Sequence, residues 1–485
     1  MNKQKKVLKK RTSVRFFGRI VLVKRHFPTY PNLMKYTGKN TGENAQQLLF
    51  FWENMEMILP KEHPLVKKEG IIPWEELIEV IGRQYSLRGT KSKSIRMMLG
   101  LELAKRELGI SDEKIVDMLS TDIALQYFCG MRSFGEEEIP HSSSLTYFRK
   151  RLGSETMQEL EEIVTRSLIP YLPRRRRGQM IVDTTCMEAN VAFPTDTKLL
   201  KKTWQKLVEV AEKIRENGQD IIIRGKQKLL KEIRGFDLQR KKGKKLIQKM
   251  RKKIWRETVK LERKIMRVLE KKAVKAKKSL EEMMSSLEKK TKGVIKTAQK
   301  IIAQQGEMIR EKTHSVKDRI VSFHEPTVRP IVRGKEGRNV EFGSKTGISV
   351  IGGFLGVSHN LSSNNYSDTE IVRDTLKRYE DIRGKPPTEM IGDRGFHSPG
   401  NHDLLEEKGI RDGLEYRGKI PKKRQVTLPD KKTRKRMKNQ RSVVEGRIGN
   451  LKRMGRKCKY RTKNMQTWIS TGLIMMNLRW AVQKI

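Results

Sequence analysis

The chain has 485 residues, with 106 Lys and Arg against 56 Asp and Glu, a formal net charge of +50. That length suits two or three domains, and 36% hydrophobic residues are enough for real cores. A charge excess this large repels itself in a compact state unless a polyanion neutralises it, so nucleic acid is the expected partner.

Three cysteines, Cys129, Cys186 and Cys458, lie far apart with no CxxC pair. This argues against a disulfide framework or a cysteine zinc site and fits a reducing, cytoplasmic compartment. The most apolar stretch, 468–482, contains Arg479 and falls short of the roughly 20 residues a spanning helix needs, so no membrane role is expected. The basic segment from Met1 to Arg11 lacks a following apolar core and reads as a frayed tail, not a secretory signal.

Residues 44–59 carry apolar positions at helical spacing. A helix over 73–85 is indicated by Pro73 in its first turn, followed by Glu75 and Glu76. Ser111 opens a helix through Leu119. After a break over 133–140, a further helix over 142–152 bears Arg149, Lys150 and Arg151. This pattern predicts an N-terminal helical DNA-binding domain, 1–172, with Arg149 and Arg151 as candidate contacts. The run Arg174–Arg177 between Pro173 and Gly178 marks a boundary, after which 173–485 forms a second domain.

That domain starts with a β-rich run, Met180 to Met187. No proline occurs between Thr195 and Glu325, and Lys201 to Ile320 holds 38 basic against 15 acidic residues. Residues 198–315 therefore read as a basic helical insertion. Val259, Met266, Ala273, Leu280, Leu287, Val294 and Ile301 recur every seven residues, which predicts a helical hairpin turning near Gly243, favoured over a dimeric coiled coil. Strands are expected within 341–359, a helix over 368–383, a strand over 388–393, a basic loop-rich stretch over 411–441 and a helix over 441–454. The fold class is a mixed α/β domain interrupted by an all-helical insertion.

Two acids close apolar strands: Asp183 follows Met180-Ile-Val and Asp393 follows Met390-Ile-Gly. Singly, either would be a strand-end salt bridge. On neighbouring strands of an open sheet they would form a divalent-metal site. A third acid joins them. Arg441, Glu445 and Lys452 stand at offsets of zero, four and eleven, within roughly 40° of one another on a helix, beside a stripe of Val444, Ile448 and Leu451. Gly446 and Gly449 each cost about 1 kcal/mol in a helix interior, which suggests that another backbone approaches there. The eight histidines form no ligand-spaced set.

The spacing Arg441-x3-Glu445-x6-Lys452 resembles the glutamate-helix signature, Tyr-x2-Arg-x3-Glu-x6-Lys, of bacterial insertion-sequence DDE transposases. Lys438 stands at the tyrosine position. Gly392-Asp-Arg-Gly-Phe-His397 resembles their second-aspartate motif and Val182-Asp-Thr-Thr185 the first. Ser142, Leu145, Phe148, Arg149, Arg151 and Leu152 resemble their shared N-terminal domain. Phe193-Pro-Thr-Asp-Thr197, Arg329 to Lys335, and Glu341-Phe-Gly-x-Lys345 resemble further family blocks.

The resemblance implies an RNase H-like catalytic domain with Asp183, Asp393 and Glu445 as catalytic carboxylates. These would hold two Mg²⁺ or Mn²⁺ ions about 3.5–4 Å apart, Asp183 bridging them. It also implies that Arg441 and Lys452 hold phosphates. Arg394, beside Asp393, is a further candidate DNA contact, and the basic loop immediately before the glutamate helix, with Lys422, Lys423 and Arg424, is expected to line the DNA path. The expected partners are terminal inverted repeats and target DNA, with a homodimer in the synaptic complex, in a nucleoid-associated cytoplasmic setting. Asp196, in a family-like block, has no role assigned by its position. The alternatives are an RNase H-like nuclease without strand transfer, or a non-catalytic DNA-binding protein derived from a transposase.

Overall fold

The computed structural model describes residues 12–16, 19–23, 55–86, 92–216, 221–277, 279, 281–282, 284, 287–335, 338–454 and 464–485. The basic tail, most of the helix expected over 44–59, Cys458, Leu280 and the Lys423 side chain lie outside the described residues. The chain divides into two compact units, 1–58 and 59–485. The first contains an antiparallel hairpin of β1 (Thr12–Phe16) and β2 (Arg19–Val23) and one helical turn at Met55–Ile58.

The second unit begins with α1 (Pro64–Glu69), α2 (Trp74–Gly82), α3 (Ile95–Leu108), α4 (Asp112–Leu119), α5 (Ile123–Phe128) and α6 (Ser142–Leu168). Ser94, Ser111 and Asp122 cap the N-termini of α3, α4 and α5 by accepting backbone N–H bonds. Gly153, at φ 68°, breaks α6 into the short basic helix expected from the sequence and a second arm.

Six strands form one mixed sheet: β3 (Gln179–Glu188), β4 (Arg329–Lys335), β5 (Arg338–Ile351), β6 (Leu355–Ser362), β7 (Glu389–Gly392) and β8 (Arg411–Leu414). β5 pairs antiparallel with β3, β4 and β6, while β3, β7 and β8 run parallel. This is the RNase H-like mixed sheet that the resemblance implies. The parallel crossovers carry α11 (Val372–Arg383) and α12 (Pro399–Glu407). Beyond β8 come α13 (Lys431–Gln440), α14 (Ser442–Met454) and α15 (Met465–Val482). Among the described residues no helix is long and apolar enough to cross a membrane. α15, which contains the apolar stretch, is buried on nearly all sides.

The even-numbered face of β3 (Met180, Val182) shares a core with α2, α3, α6 and α11. The other face (Ile181) packs against Val444, Ile448 and Leu451 of α14 and against α15. The boundary expected at residue 172 is therefore not a boundary between separate cores. The buried Glu161 carboxylate of α6 welds the two parts: Ser358 of β6 donates through its backbone N–H and its hydroxyl, and Ser470 of α15 through its hydroxyl. Burial pushes the Glu161 carboxyl upward in pKa.

Between β3 and β4 stand α7 (Asp196–Glu216), α8 (Lys226–Leu238), α9 (Lys244–Lys275) and α10 (Lys289–Arg310), with a core of their own. α9 and α10 both pack on α7, so the segment is a multi-helix bundle in place of a simple hairpin. Its seam on α9 runs through Ile254, Thr258, Leu261, Ile265, Leu269 and Ala273, not through Val259 and Met266. Straight α-helical steps of three and four residues drift off a strict seven-residue ladder. α9 also ends at Lys275, ahead of Lys277 at φ 52°.

The expected DNA contact by Arg149 is overturned. Its side chain is 6% exposed and is bonded through Nη1 to Glu102 Oε2 at 2.7 Å and through Nη2 to Asp112. Removing a cation from a buried pair leaves its carboxylate uncompensated, at about 3–5 kcal/mol. Arg149→Met should lower the unfolding free energy by about that amount in urea titrations. A loss under about 1 kcal/mol, the range of exposed pairs, would contradict the buried role.

Candidate active site

Two acids arrive at one place through strand register. In the parallel pair, Gln179 faces Glu389 and Ile181 faces Ile391, the last paired position. Asp183 and Asp393 each lie two residues further on. They therefore emerge at matching positions on adjacent strands, which are about 4.8 Å apart. Gly392 permits this approach: a Cβ there would sit 2.8 Å from Leu414, 3.1 Å from Phe396 and 3.3 Å from Val182. Asp393 N-caps a short 3₁₀ turn, its Oδ1 accepting from Gly395 N at 2.7 Å. Asp183 Oδ1 accepts from Thr184 N at 2.7 Å.

Glu445 reaches the same cleft from the first turn of α14. The buried stripe of Val444, Ile448 and Leu451 turns the other side of that helix toward the cleft. A Cβ at Gly446 or Gly449 would meet nothing within 4 Å, so neither glycine admits a neighbouring backbone and that expectation falls. The open cleft, about 560 Å³, is lined by Asp183, Asp393 and Glu445 together with Lys345, Asp368, Arg441 and Lys452.

Asp368 is a fourth carboxylate that sequence reasoning did not single out. It follows Ser367, which caps the short 3₁₀ helix Asp368–Ile371. Its Oδ1 lies 2.8 Å from Lys345 Nζ and accepts from Thr184 Oγ1 at 2.8 Å. A Cβ on Gly395 would fall 2.5 Å from Asp368 Oδ2 and 2.8 Å from Asp393 Oδ1, so the Gly395 backbone separates these two acids. The available signal was the adjacency of Asp368 to a Ser-x-x-Glu cap, which reads as helix chemistry alone.

The cations of the cleft are balanced by acids. Arg441 Nη1 lies 2.7 Å from Glu415 Oε1 and its Nη2 3.8 Å from Glu445 Oε1. Lys452 Nζ lies 3.9 Å from Glu341. Arg394, largely exposed, lies 3.6 Å from Glu415. Four carboxylates line the cleft, with no histidine or methionine and with Cys186 as its one sulfur, so the donor set is mainly hard oxygen and suits Mg²⁺, Mn²⁺ or Ca²⁺. Among the described residues, no three His, Cys, Asp or Glu side chains converge closely enough to hold one metal ion. The acids share a wall without closing a coordination shell, and the Arg441–Glu445 pair holds the glutamate side of that wall.

The remaining candidates lie elsewhere. Arg151 is exposed and stacks over Tyr85 at 4.0 Å. Lys422 is exposed, but Arg424 is tied to Asp403 and Glu406, so its expected place on a DNA path is occupied by acids of its own domain. Lys438 is exposed on α13 and does not line the cleft. Asp196 clasps the base of the helical insertion: its carboxylate meets Arg251 at 3.4 Å and Arg319 at 2.9 Å, and accepts from Gln305 Nε2 at 2.8 Å. It joins the first helix of the insertion to its third, its fourth and its exit.

The family model described as "Transposase domain (DUF772)" matches residues 53–151, and that described as "Transposase DDE domain" matches residues 345–478. The second match takes in Asp368, Asp393, Arg441, Glu445 and Lys452. Asp183 and the helical insertion lie outside both. A curated relative, the "Uncharacterized protein ORF8 in nfe locus" of Rhizobium meliloti, is 31% identical over 182 residues, which make up 37% of this chain and 86% of that protein. No solved structure matches the chain.

Gly395→Ala should displace one of the two flanking carboxylates while leaving the buried core untouched. Mn²⁺ affinity, measured by isothermal titration calorimetry, is expected to fall about 10–100-fold with the melting temperature near that of the wild type. Unchanged Mn²⁺ binding would contradict a shared donor wall.

Proposed function

Because this chain belongs to the insertion-sequence transposases with a DDE domain, we propose that it binds the terminal inverted repeats of its element, cuts DNA there and joins the ends to a target. The observation that carries this reading is the matched offset of Asp183 and Asp393 beyond the β3–β7 pairing, with Glu445 on the wall of the same cleft. A non-catalytic DNA-binding protein would need no such row of acids along one cleft in a chain of net charge +50.

On this reading Asp183, Asp393 and Glu445 hold divalent cations, with Asp368 beside them. Mg²⁺ or Mn²⁺ held there would supply activation of a water or a 3′-OH and stabilisation of the leaving oxygen. Arg441 and Lys452 exchange their protein carboxylate partners for backbone phosphates, a trade of one charge-assisted bond for another. Once Arg441 turns to phosphate, Glu445 is released to face the aspartates. Lys345 pairs with the Asp368 carboxylate and aims it, and Thr184 fixes it with a hydroxyl bond. Arg394 on the rim steers the DNA strand by charge. Two protomers on paired transposon ends complete the proposed assembly.

Asp183→Asn, Asp393→Asn and Glu445→Gln should each abolish metal-dependent cleavage and joining while gel shifts show end binding retained. Asp368→Asn, acting through its neighbours, should reduce cleavage about 10–100-fold. Products that join to a second DNA distinguish a transposase from a nuclease, which would leave only cut ends. Wild-type cleavage in any of the three triad variants would overturn the assignment.

A further inference from the structure

A second groove, of about 510 Å³, opens between the arginine turn Arg174–Arg176 and helix α13, with Arg176, Gln179, Lys432, Lys435, Asn439 and Gln440 on its walls. No carboxylate lines it. The buried acid nearby, Glu389, is already committed: Gln179 Nε2 donates to it at 2.5 Å, and Arg436 and Arg411 lie 3.0 and 3.4 Å away. Arg176, Lys432 and Lys435 make no ion pair among the described residues. The cleft differs, because there Lys345, Arg441 and Lys452 each face a protein carboxylate.

The groove is a built feature. Asp430 caps α13 by accepting from Lys432 N at 2.8 Å and Thr433 N at 3.0 Å. Met437 anchors the helix in the core. Gln179 Nε2 also donates to Gln440 Oε1 at 2.8 Å, tying the helix to β3 across the floor. Side chains alternate along a strand, so Gln179, Ile181 and Asp183 share the face on which α14 packs. At about 3.3 Å per residue, Gln179 lies about 13 Å from Asp183 along β3. One DNA strand places a phosphate every 3.4 Å or so of helix axis.

We propose that this groove is a second phosphate-binding subsite, one that holds the DNA strand, with the duplex axis running along β3, about four nucleotides from the phosphate lying at Asp183. The inference rests on the reading of the cleft as a DNA-cleaving site for its register, but not for its charge. Three cations without an ion-pair partner among the described residues, with amide groups between them, take consecutive backbone phosphates. The track runs along α13 in place of the loop at Lys422 and Arg424, whose arginine is neutralised by Asp403 and Glu406.

The test uses the full chain with Arg176, Lys432 and Lys435 replaced together by Gln. Binding to a random-sequence DNA duplex is followed by fluorescence anisotropy over a range of salt. Each lost phosphate contact should flatten the slope of log K against log salt by about 0.9, so a change of about 2 to 3 is expected with no shift in melting temperature. A slope change below about 0.9 would overturn the subsite. Single methylphosphonates walked along the cleaved strand should weaken wild-type binding most about four nucleotides from the cut and leave the triple variant insensitive there; equal sensitivity in both proteins would also overturn it. If the slope flattens although the acid variants still cleave, the subsite stands and the catalytic reading fails. If the slope is unchanged although the acid variants lose cleavage, the subsite alone fails.

Discussion

The short parallel pairing of β3 with β7 is the constraint on which the rest depends. It covers three residue pairs and stops at Ile181 and Ile391. Beyond it the strands part, and the two backbones deliver a carboxylate each at equal height. β3 is fixed on its other edge by nine consecutive pairs with β5. A slip of one residue would turn Asp183 into the apolar core against α6 and put Val182 or Thr184 at its position opposite Asp393. Glycines secure the register. A Cβ on Gly343 would come within 2.0 Å of Met187 O, and one on Gly347 within 2.1 Å of His359, so β5 can lie this close to β3 and β6 only with glycine at those positions.

Charge is arranged around that frame with a clear division. Inside the acid-lined cleft the protein supplies both signs, and its cations rest on Glu415, Glu341 and Asp368. These pairs place an acid beside each cation of the cleft. Outside it, on α13 and across the helical insertion, cations outnumber acids. The excess of the whole chain favours a polyanion and opposes compaction, and the insertion offsets that repulsion with an independent apolar core.

The strand ends and the glutamate helix were legible because their signal is local. An apolar run ending in an acid, and a stripe at 3.6-residue spacing beside an Arg-Glu-Lys row, each fit in a short window. Other features were not, because they depend on partners distant in sequence. Arg149 reads as one of three consecutive basic residues, yet it is buried against Glu102 and Asp112. Asp368 reads as a helix-start acid and becomes a cleft residue only when β5 brings Lys345 beside it. α13 reads as loop because its one buried apolar side chain is Met437, so no stripe announces it; its cap, Asp430, is the signal that was available. The insertion was legible as helical from its missing prolines and its composition, but its expected seam meets the observed one only in places, at Ala273 and Ile301, and runs beside it at Met266 and Val294, since a seven-residue ladder does not follow a helix that is not a coiled coil.

The central claim is that acids from β3, from the end of β7 and from α14 serve one pair of ions. Anomalous diffraction from crystals of the protein with Mn²⁺ and a transposon-end duplex tests it most directly. The account predicts two manganese peaks about 3.5–4 Å apart, touched by Asp183, Asp393 and Glu445, with Arg441 moved from Glu445 to phosphate. Manganese bound away from Asp183 and Asp393, or a Glu445 that stays paired with Arg441 while DNA fills the cleft, would contradict it.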